Sequence, residues 1–240
     1  MALWGAPISV DDPEVQACQA ALDFDDALKK LNAAFKADGK PEIVVRVGIH
    51  VGKLFIGNIG CPERMNYTVV GTPANIAARI EQLGKSYGLS PLISGDVHEQ
   101  VSKDKLCIWL DNVILRGHKI LVTPVYHLVT NTSEATPEQL QVAEAMKVVE
   151  SACKSSHKQN RVAAINEALK NPILAQYYQA LRVLREKAVV IATGRTRTDS
   201  AIADLVASQM GHVSSDPYLS ELKQTSFVEN IDEAGSSGQI

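Results

Sequence analysis

The chain has 240 residues, 45% hydrophobic and 21% charged, enough for one well-cored domain with an extension. Its 24 basic and 27 acidic residues leave a net charge of −3, so the basic excess of a nucleic-acid or anionic-membrane binder is missing. No apolar run reaches the length of a membrane span, and residues 1–7 lack the basic and long apolar regions of a signal peptide.

In chain order, Asp11 and Asp12 precede Pro13 as a helix start, and residues 13–36 carry a helical pattern. Ala21, Phe24, Leu28, Leu31 and Phe35 recur at spacings of three and four, which predicts one buried stripe. Asp38-Gly39-Lys40-Pro41 stops this helix. Two strand-like runs follow, residues 44–49 and 53–59, joined by a turn at Val51-Gly52. A Gly60-Cys61-Pro62 loop leads to a third run at 67–70.

The chain then turns at Gly71-Thr72-Pro73 into a helix, with Thr72 expected as its N-cap and Pro73 at its first position. At 3.6 residues per turn, Thr72, Asn75 and Arg79 fall near one face, while Ile76, Ile80 and Leu83 form a separate apolar stripe. The planar, permanently charged fork of an arginine suits a phosphate, and an asparagine amide both donates and accepts. Spacing alone equally describes a solvated arginine and a capping asparagine. His50 stands just before this stretch; as a base or metal ligand it has no second His or Cys at ligand spacing, which favours a structural role.

Residues 89–94 read as a strand and 95–101 as a helical turn. Residues 105–110 and 113–115 read as an antiparallel pair turning at Asp111-Asn112. A basic loop, Arg116-Gly117-His118-Lys119, precedes a strand at 123–129. After a polar linker, Thr136-Pro137-Glu138 opens a run of helices at 138–153, 161–169 and 173–192, broken at Asn171-Pro172. Leu140, Ala143, Met146 and Val148 or Val149 line one side of the first. The turn at 193–198 is basic and hydroxyl-rich but lacks the glycine-rich phosphate-loop form, and reads as a loop with a cap. One more helix is expected at 200–210, and a disordered tail over 213–240. Cys18, Cys61, Cys107 and Cys153 are widely spaced and read as free thiols of a reducing, cytoplasmic compartment, though a longer parent could be membrane-anchored.

The stretch from Arg46 to Leu83 carries Arg46, Gly48, Ile49, His50, Gly52, Gly57, Asn58, Ile59, Gly60, Arg64, Tyr67, Thr68, Val69, Gly71, Asn75, Ala77, Ala78, Arg79 and Glu81 in one register. In that register it resembles the second half of the class III nucleotidyl cyclase catalytic domain, the family of adenylate and guanylate cyclases. The resemblance runs to about Val129. It implies an α/β fold, a ferredoxin-like βαββαβ-type (α+β) antiparallel sheet with helices on one face, truncated at its N-terminus and followed by an all-helical extension. The expected division is a partial catalytic domain at 1–130, a linker at 131–136, a helical extension at 137–212 and the tail at 213–240.

What the resemblance implies about chemistry is specific. Asn75 would orient the ribose and Arg79 would stabilise the phosphoryl group in transit. Thr72 stands at the purine-reading position, where its hydroxyl favours the adenine of ATP over guanine. Arg116 and Lys119 become candidates for the triphosphate, with a plain exposed hairpin as the alternative. Asn66 departs from the family, which often has Asp there. Two Mg²⁺ or Mn²⁺ ions are expected, but residues 1–7 match a strand that follows the family's metal-binding Gly-Asp pair. Their ligands, with a purine-contacting lysine, are therefore expected outside this chain, and no residue here is assigned to metal. The implied function is conversion of ATP to cyclic AMP and pyrophosphate in cyclic-nucleotide signal transduction. The expected partner is a second copy or a cyclase half that supplies the carboxylates, and the chain alone is expected to be inactive. The alternative is a non-catalytic cyclase-like regulatory or dimerisation module.

Overall fold

The computed structural model describes residues 1–61, 64–115, 121–155 and 157–193. The chain divides into two compact units that do not follow chain order. The first comprises Met1–Lys85, Leu89–Cys107 and Tyr126–Ala135; the second comprises Ser86–Gly88, Ile108–Val125 and the chain from Thr136 onward. The expected mixture of sheet and helices, with a helical C-terminal region, is present.

In the first unit, helix α1 (Pro13–Ala37) starts with Pro13 in its first turn and ends where Asp38 and the left-handed Gly39 reverse the chain. Its N-terminal half supplies Cys18 and Ala21 to a core completed by Ile93, Val97, Val101 and Leu128. The predicted stripe continues to Phe24 and Leu31, yet both are exposed. Periodicity marks a face that can be buried, and the second half of this one is covered only in part, with Leu28 and Phe35 intermediate in burial. Strand β1 is only Gly48–Ile49, shorter than the run read from sequence. Residues 44–47 lie outside any strand; Asn32 instead holds the backbone of Ile43 from both sides, at 2.8 Å each.

Strands β2 (Phe55–Cys61) and β3 (Arg64–Val70) form a separate antiparallel hairpin, Phe55 opposite Val70 and Cys61 opposite Arg64. Helix α2 (Thr72–Tyr87) follows, then β4 (Leu92–Ser94) and α3 (Gly95–Val101). β1 and β4 run parallel, with Gly48 beside Leu92 and Ile49 beside Ile93. The four-stranded sheet has the order β1-β4-β6-β5, where β5 is Lys105–Leu115 and β6 is Leu121–Asn131. Lys105 is buried at the start of β5 and donates to Gln19 of α1 and Asn131 of β6, tying three elements by one ammonium.

β5 corrects the reading of Asp111-Asn112 as a turn: the strand runs through them without a break. Both side chains are buried and accept hydrogen bonds from other side chains. Asn112 accepts from the Trp109 indole, and Asp111 accepts from Tyr87 and Lys187. Polar residues mark turns because they prefer solvent, and that preference is overridden where partners await them inside.

The rest of the second unit is helical. α4 (Pro137–Lys154) opens with the expected Thr136, which forms a full capping box with Gln139. Ala143, Met146 and Val149 are buried with Val142 and Cys153, whereas Leu140 and Val148 are exposed. α5 (Lys158–Ala168) packs on α4, and α6 (Tyr178–Thr193) packs on α5 after a short 3-10 turn at Pro172–Tyr177. Two expectations, the 193–198 turn (apart from Thr193, which ends α6) and the 200–210 helix, lie outside the described residues, as does the tail.

At Gly48 the backbone of β1 closely approaches that of α2. A Cβ built there would lie 2.3 Å from the Glu81 nitrogen and 2.4 Å from the Ala77 oxygen, both on the backbone of α2. A Gly48→Ala chain should therefore lose about 1–3 kcal/mol of stability in urea unfolding, since backbone cannot step aside as a side chain would. An unchanged midpoint would show that α2 does not lie this close.

His127 gives a second measurement. Burial pushes its imidazole from 6.5 down to about 4, against a hydrogen bond to the Ser90 backbone that raises it less. The folded chain then keeps the ring neutral where the unfolded chain binds a proton, so stability is full above about pH 6.5 and is lost as pH falls toward 4. Over that window the urea midpoint of the parent should fall more steeply than that of His127→Gln. Parallel profiles would show that the ring is not held neutral.

Candidate active site on helix α2

Helix α2 is positioned before its chemistry is considered. Ile76, Ile80 and Leu83 are buried, as their spacing predicted. The Val51-Gly52 turn lies against its start, where a Cβ on Gly52 would come within 2.6 Å of the Pro73 ring. Near its other end, Arg46 Nε donates to Glu81 Oε1 at 2.8 Å, and the aliphatic part of Arg46 lies over Gly84. The helix assignment begins at Thr72 itself, so Thr72 stands as the first helical residue and Gly71 precedes it; the difference from the N-cap expectation is one residue at a fraying end.

With one side of the helix buried, Thr72 and Asn75 are exposed and Arg79 is half-buried. The three share a helical face through their i, i+3, i+7 spacing. The guanidinium of Arg79 is the unusual group. Its Nη1 is buried and has no hydrogen-bond partner among the described residues. The nearest carboxylate in sequence, Glu81, is taken by Arg46. An orphaned buried donor costs about 1–3 kcal/mol, and an oxyanion is the ligand that would satisfy it. Arg116 and Lys119, the other basic candidates, lie outside the described residues.

His50 is drawn into the scaffold. Its ring is nearly fully buried, with Nδ1 2.8 Å from Ser94 Oγ and 3.6 Å from Asp96 Oδ2. Ser94 caps α3, its Oγ accepting from the Val97 nitrogen while also sharing a hydrogen bond with His50 Nδ1. Burial lowers the pKa of His50 and the Asp96 carboxylate raises it by less. The ring thus joins the end of β1 to the start of α3. Among the described residues no three His, Cys, Asp or Glu side chains gather as a metal ion requires. This chain's described donor set does not fit a resident metal.

Sequence reasoning missed the Arg46–Glu81 pair as a pair, although both residues stand in the motif. They are 35 positions apart, and only the approach of α2 to the segment before β1 makes them neighbours. It also missed Tyr87, Asp111 and Lys187, whose partnership is equally non-local.

Comparison with known proteins places this arrangement. The adenylate and guanylate cyclase catalytic domain model matches residues 1–130. Adenylate cyclase 1 of Rhizobium meliloti (strain 1021) is 40% identical over 99 residues, covering 41% of this chain and 15% of that protein. The uncharacterised protein Rv1319c of Mycobacterium tuberculosis (strain H37Rv) is 36% identical over 121 residues, 50% of this chain and 21% of that one. The chain therefore spans about a fifth or less of these curated relatives. The crystal structure of the adenylyl cyclase CyaB from P. aeruginosa aligns with a TM-score of 0.48 at 23% identity, covering 55% of this chain and 68% of that one. With its glycines, its Asn75/Arg79 helix and a family match over more than half its length, the chain belongs to the adenylate and guanylate cyclase catalytic domain family.

Proposed function

We propose that this chain is the substrate-orienting half of an adenylate cyclase catalytic site, acting on ATP to give cyclic AMP and pyrophosphate. The observation that carries the reading is the buried, unpartnered Nη1 of Arg79 on the same helical face as Asn75 and Thr72. In the reaction the ribose 3′-oxygen attacks the α-phosphorus in line, and the bond to the pyrophosphate oxygen breaks. Negative charge gathers on the phosphoryl oxygens as this happens. Arg79 donates to those oxygens, a role supported by its buried Nη1, which has no hydrogen-bond partner among the described residues. Asn75 holds the ribose so that its 3′-oxygen faces phosphorus. The hydroxyl of Thr72 accepts from the adenine amino group, which guanine lacks at that position. Arg116 and Lys119 are proposed contacts to the triphosphate.

The two divalent cations of such chemistry, Mg²⁺ or Mn²⁺, would take their carboxylates from another polypeptide. Exposed apolar side chains on the β2–β3 hairpin support a protein partner: Phe55 is 81% exposed, and Ile59, Met65, Tyr67 and Val70 are also exposed. No helix among the described residues is long and apolar enough to cross a membrane, and the four cysteines are free. The free cysteines support the proposal of a cytoplasmic site. The proposed domain limits are those of the sequence reading, with the catalytic part at 1–130, the linker at 131–136, the helical extension at 137–212 and the tail at 213–240.

The test is complementation. The 240-residue chain should make no cyclic AMP by itself and should make it when mixed with a cyclase half that carries the metal-binding carboxylates. In the mixture Arg79→Ala should lower the rate about 100- to 1,000-fold, and ATP should be preferred to GTP. Parent-like turnover by Arg79→Ala would overturn the assignment. A mixture that stays silent would favour the non-catalytic module.

A further inference from the structure

Helix α2 is one continuous rod, but its last turn keeps different company from its first. Residues 86–88 belong to the same compact unit as the helical extension. Three contacts made by α6 or its partners converge there. Gln179 donates from Nε2 to the Ser86 carbonyl at 2.9 Å. The Tyr87 hydroxyl donates to Asp111 Oδ2 at 2.8 Å, and Lys187 of α6 closes an ion pair on the same oxygen. Gly88, in the left-handed conformation just past the helix end, leaves room for Gln179; a Cβ there would meet Gln179 Oε1 at 2.4 Å. Tyr87 and Asp111 have no exposed surface and Lys187 has almost none, so these contacts are shielded from competing water. Asp111 Oδ1 is left without a hydrogen-bond partner among the described residues, so both donors are concentrated on one carboxylate oxygen.

From this we propose that the helical extension positions the nucleotide face of α2. Gln179 and Lys187 hold the helix by its C-terminal turn, and any rearrangement of the extension displaces or loosens Thr72, Asn75 and Arg79 at the other end. The inference rests on the reading of that face given above. The lever is short: eight residues separate Arg79 from Tyr87, about 12 Å of helix. A displacement of one ångström matters at such a site, because reacting atoms must be aligned to that tolerance. The extension thereby gains a role that a passive appendage would not have, as the input through which a signal could set the catalytic rate. Gln179, Tyr87 and Lys187 are positioning residues in this scheme and touch no substrate.

The experiment uses the full 240-residue chain and two mild variants, Gln179→Ala and Tyr87→Phe. Gln179 makes its contact at the surface, and phenylalanine keeps the buried ring of Tyr87. Both should therefore retain the parent's far-ultraviolet circular dichroism; if Tyr87→Phe fails to fold, Gln179→Ala decides. The first readout is amide hydrogen exchange along residues 76–87. We expect exchange there to rise about tenfold in each variant while α4 and α5 keep the parent rates. Unchanged exchange along α2 overturns the proposal. The second readout is the complementation assay, where kcat should fall about threefold or more with the KM for ATP within about twofold. A loss of thermal stability with kcat unchanged would reveal a merely structural contact and would also overturn it. Failure of the parent mixture to turn over ATP would sink the nucleotide reading itself, and the exchange data would still decide whether α6 grips α2.

Discussion

The close approach of α2 to β1 at Gly48 is the constraint from which the first unit follows. Helix backbone lies where a side chain on strand residue 48 would have been. That distance brings Ile76, Ile80 and Leu83 into the interior and sets Arg46 beside Glu81. It also fixes which way the rest of α2 faces, because a helix whose apolar stripe is seated has no rotational freedom left. Thr72, Asn75 and Arg79 are presented by exclusion. Arg79 is half-buried there, its Nη1 without a hydrogen-bond partner among the described residues.

The second unit is arranged around a costlier device. A carboxylate, an ammonium and a phenol meet in the interior at Asp111, Lys187 and Tyr87. Removing such charges from water costs several kcal/mol per ion, and replacing a buried pair by apolar groups of similar volume is often neutral or stabilising. Removing one member alone is a different matter, at about 3–5 kcal/mol, because the other charge is stranded. The arrangement therefore gives orientation more than stability. It fixes how α6 meets β5 and the end of α2 in a way that interchangeable apolar contacts would not.

Much of this was legible in the sequence wherever the determining interactions are local. The limits of α1, the apolar stripe of α2 and the Thr136 start of α4 all follow from residues within a turn or two of each other. The Thr72/Asn75/Arg79 face was legible as a candidate site because the glycines, Asn75 and Arg79 stand in one register. What stayed hidden depends on partners far along the chain. Asp111 looks like part of a turn until Tyr87 and Lys187 are placed around it. Phe24 and Leu31 look buried until the extent of the core is known. Residues 44–47 have strand composition yet lie outside any strand, although the Val47 carbonyl accepts from Leu92 of β4. The unpartnered Nη1 of Arg79 among the described residues is invisible because a sequence does not display an unmet hydrogen bond.

That unrealised strand has a consequence for handling the molecule. Ile43, Val44 and Val45 are exposed, Val44 at 78%, and neither lysine nor proline stands among them. Asn32 already takes both backbone groups of Ile43, so the run offers exposed apolar side chains rather than a free edge, and it lies in the same unit as the apolar hairpin of β2 and β3. Preparations of the isolated chain should accordingly be governed by colloidal behaviour as much as by folding. Concentration and co-expression with a covering polypeptide, rather than temperature, become the variables that decide whether it stays monodisperse.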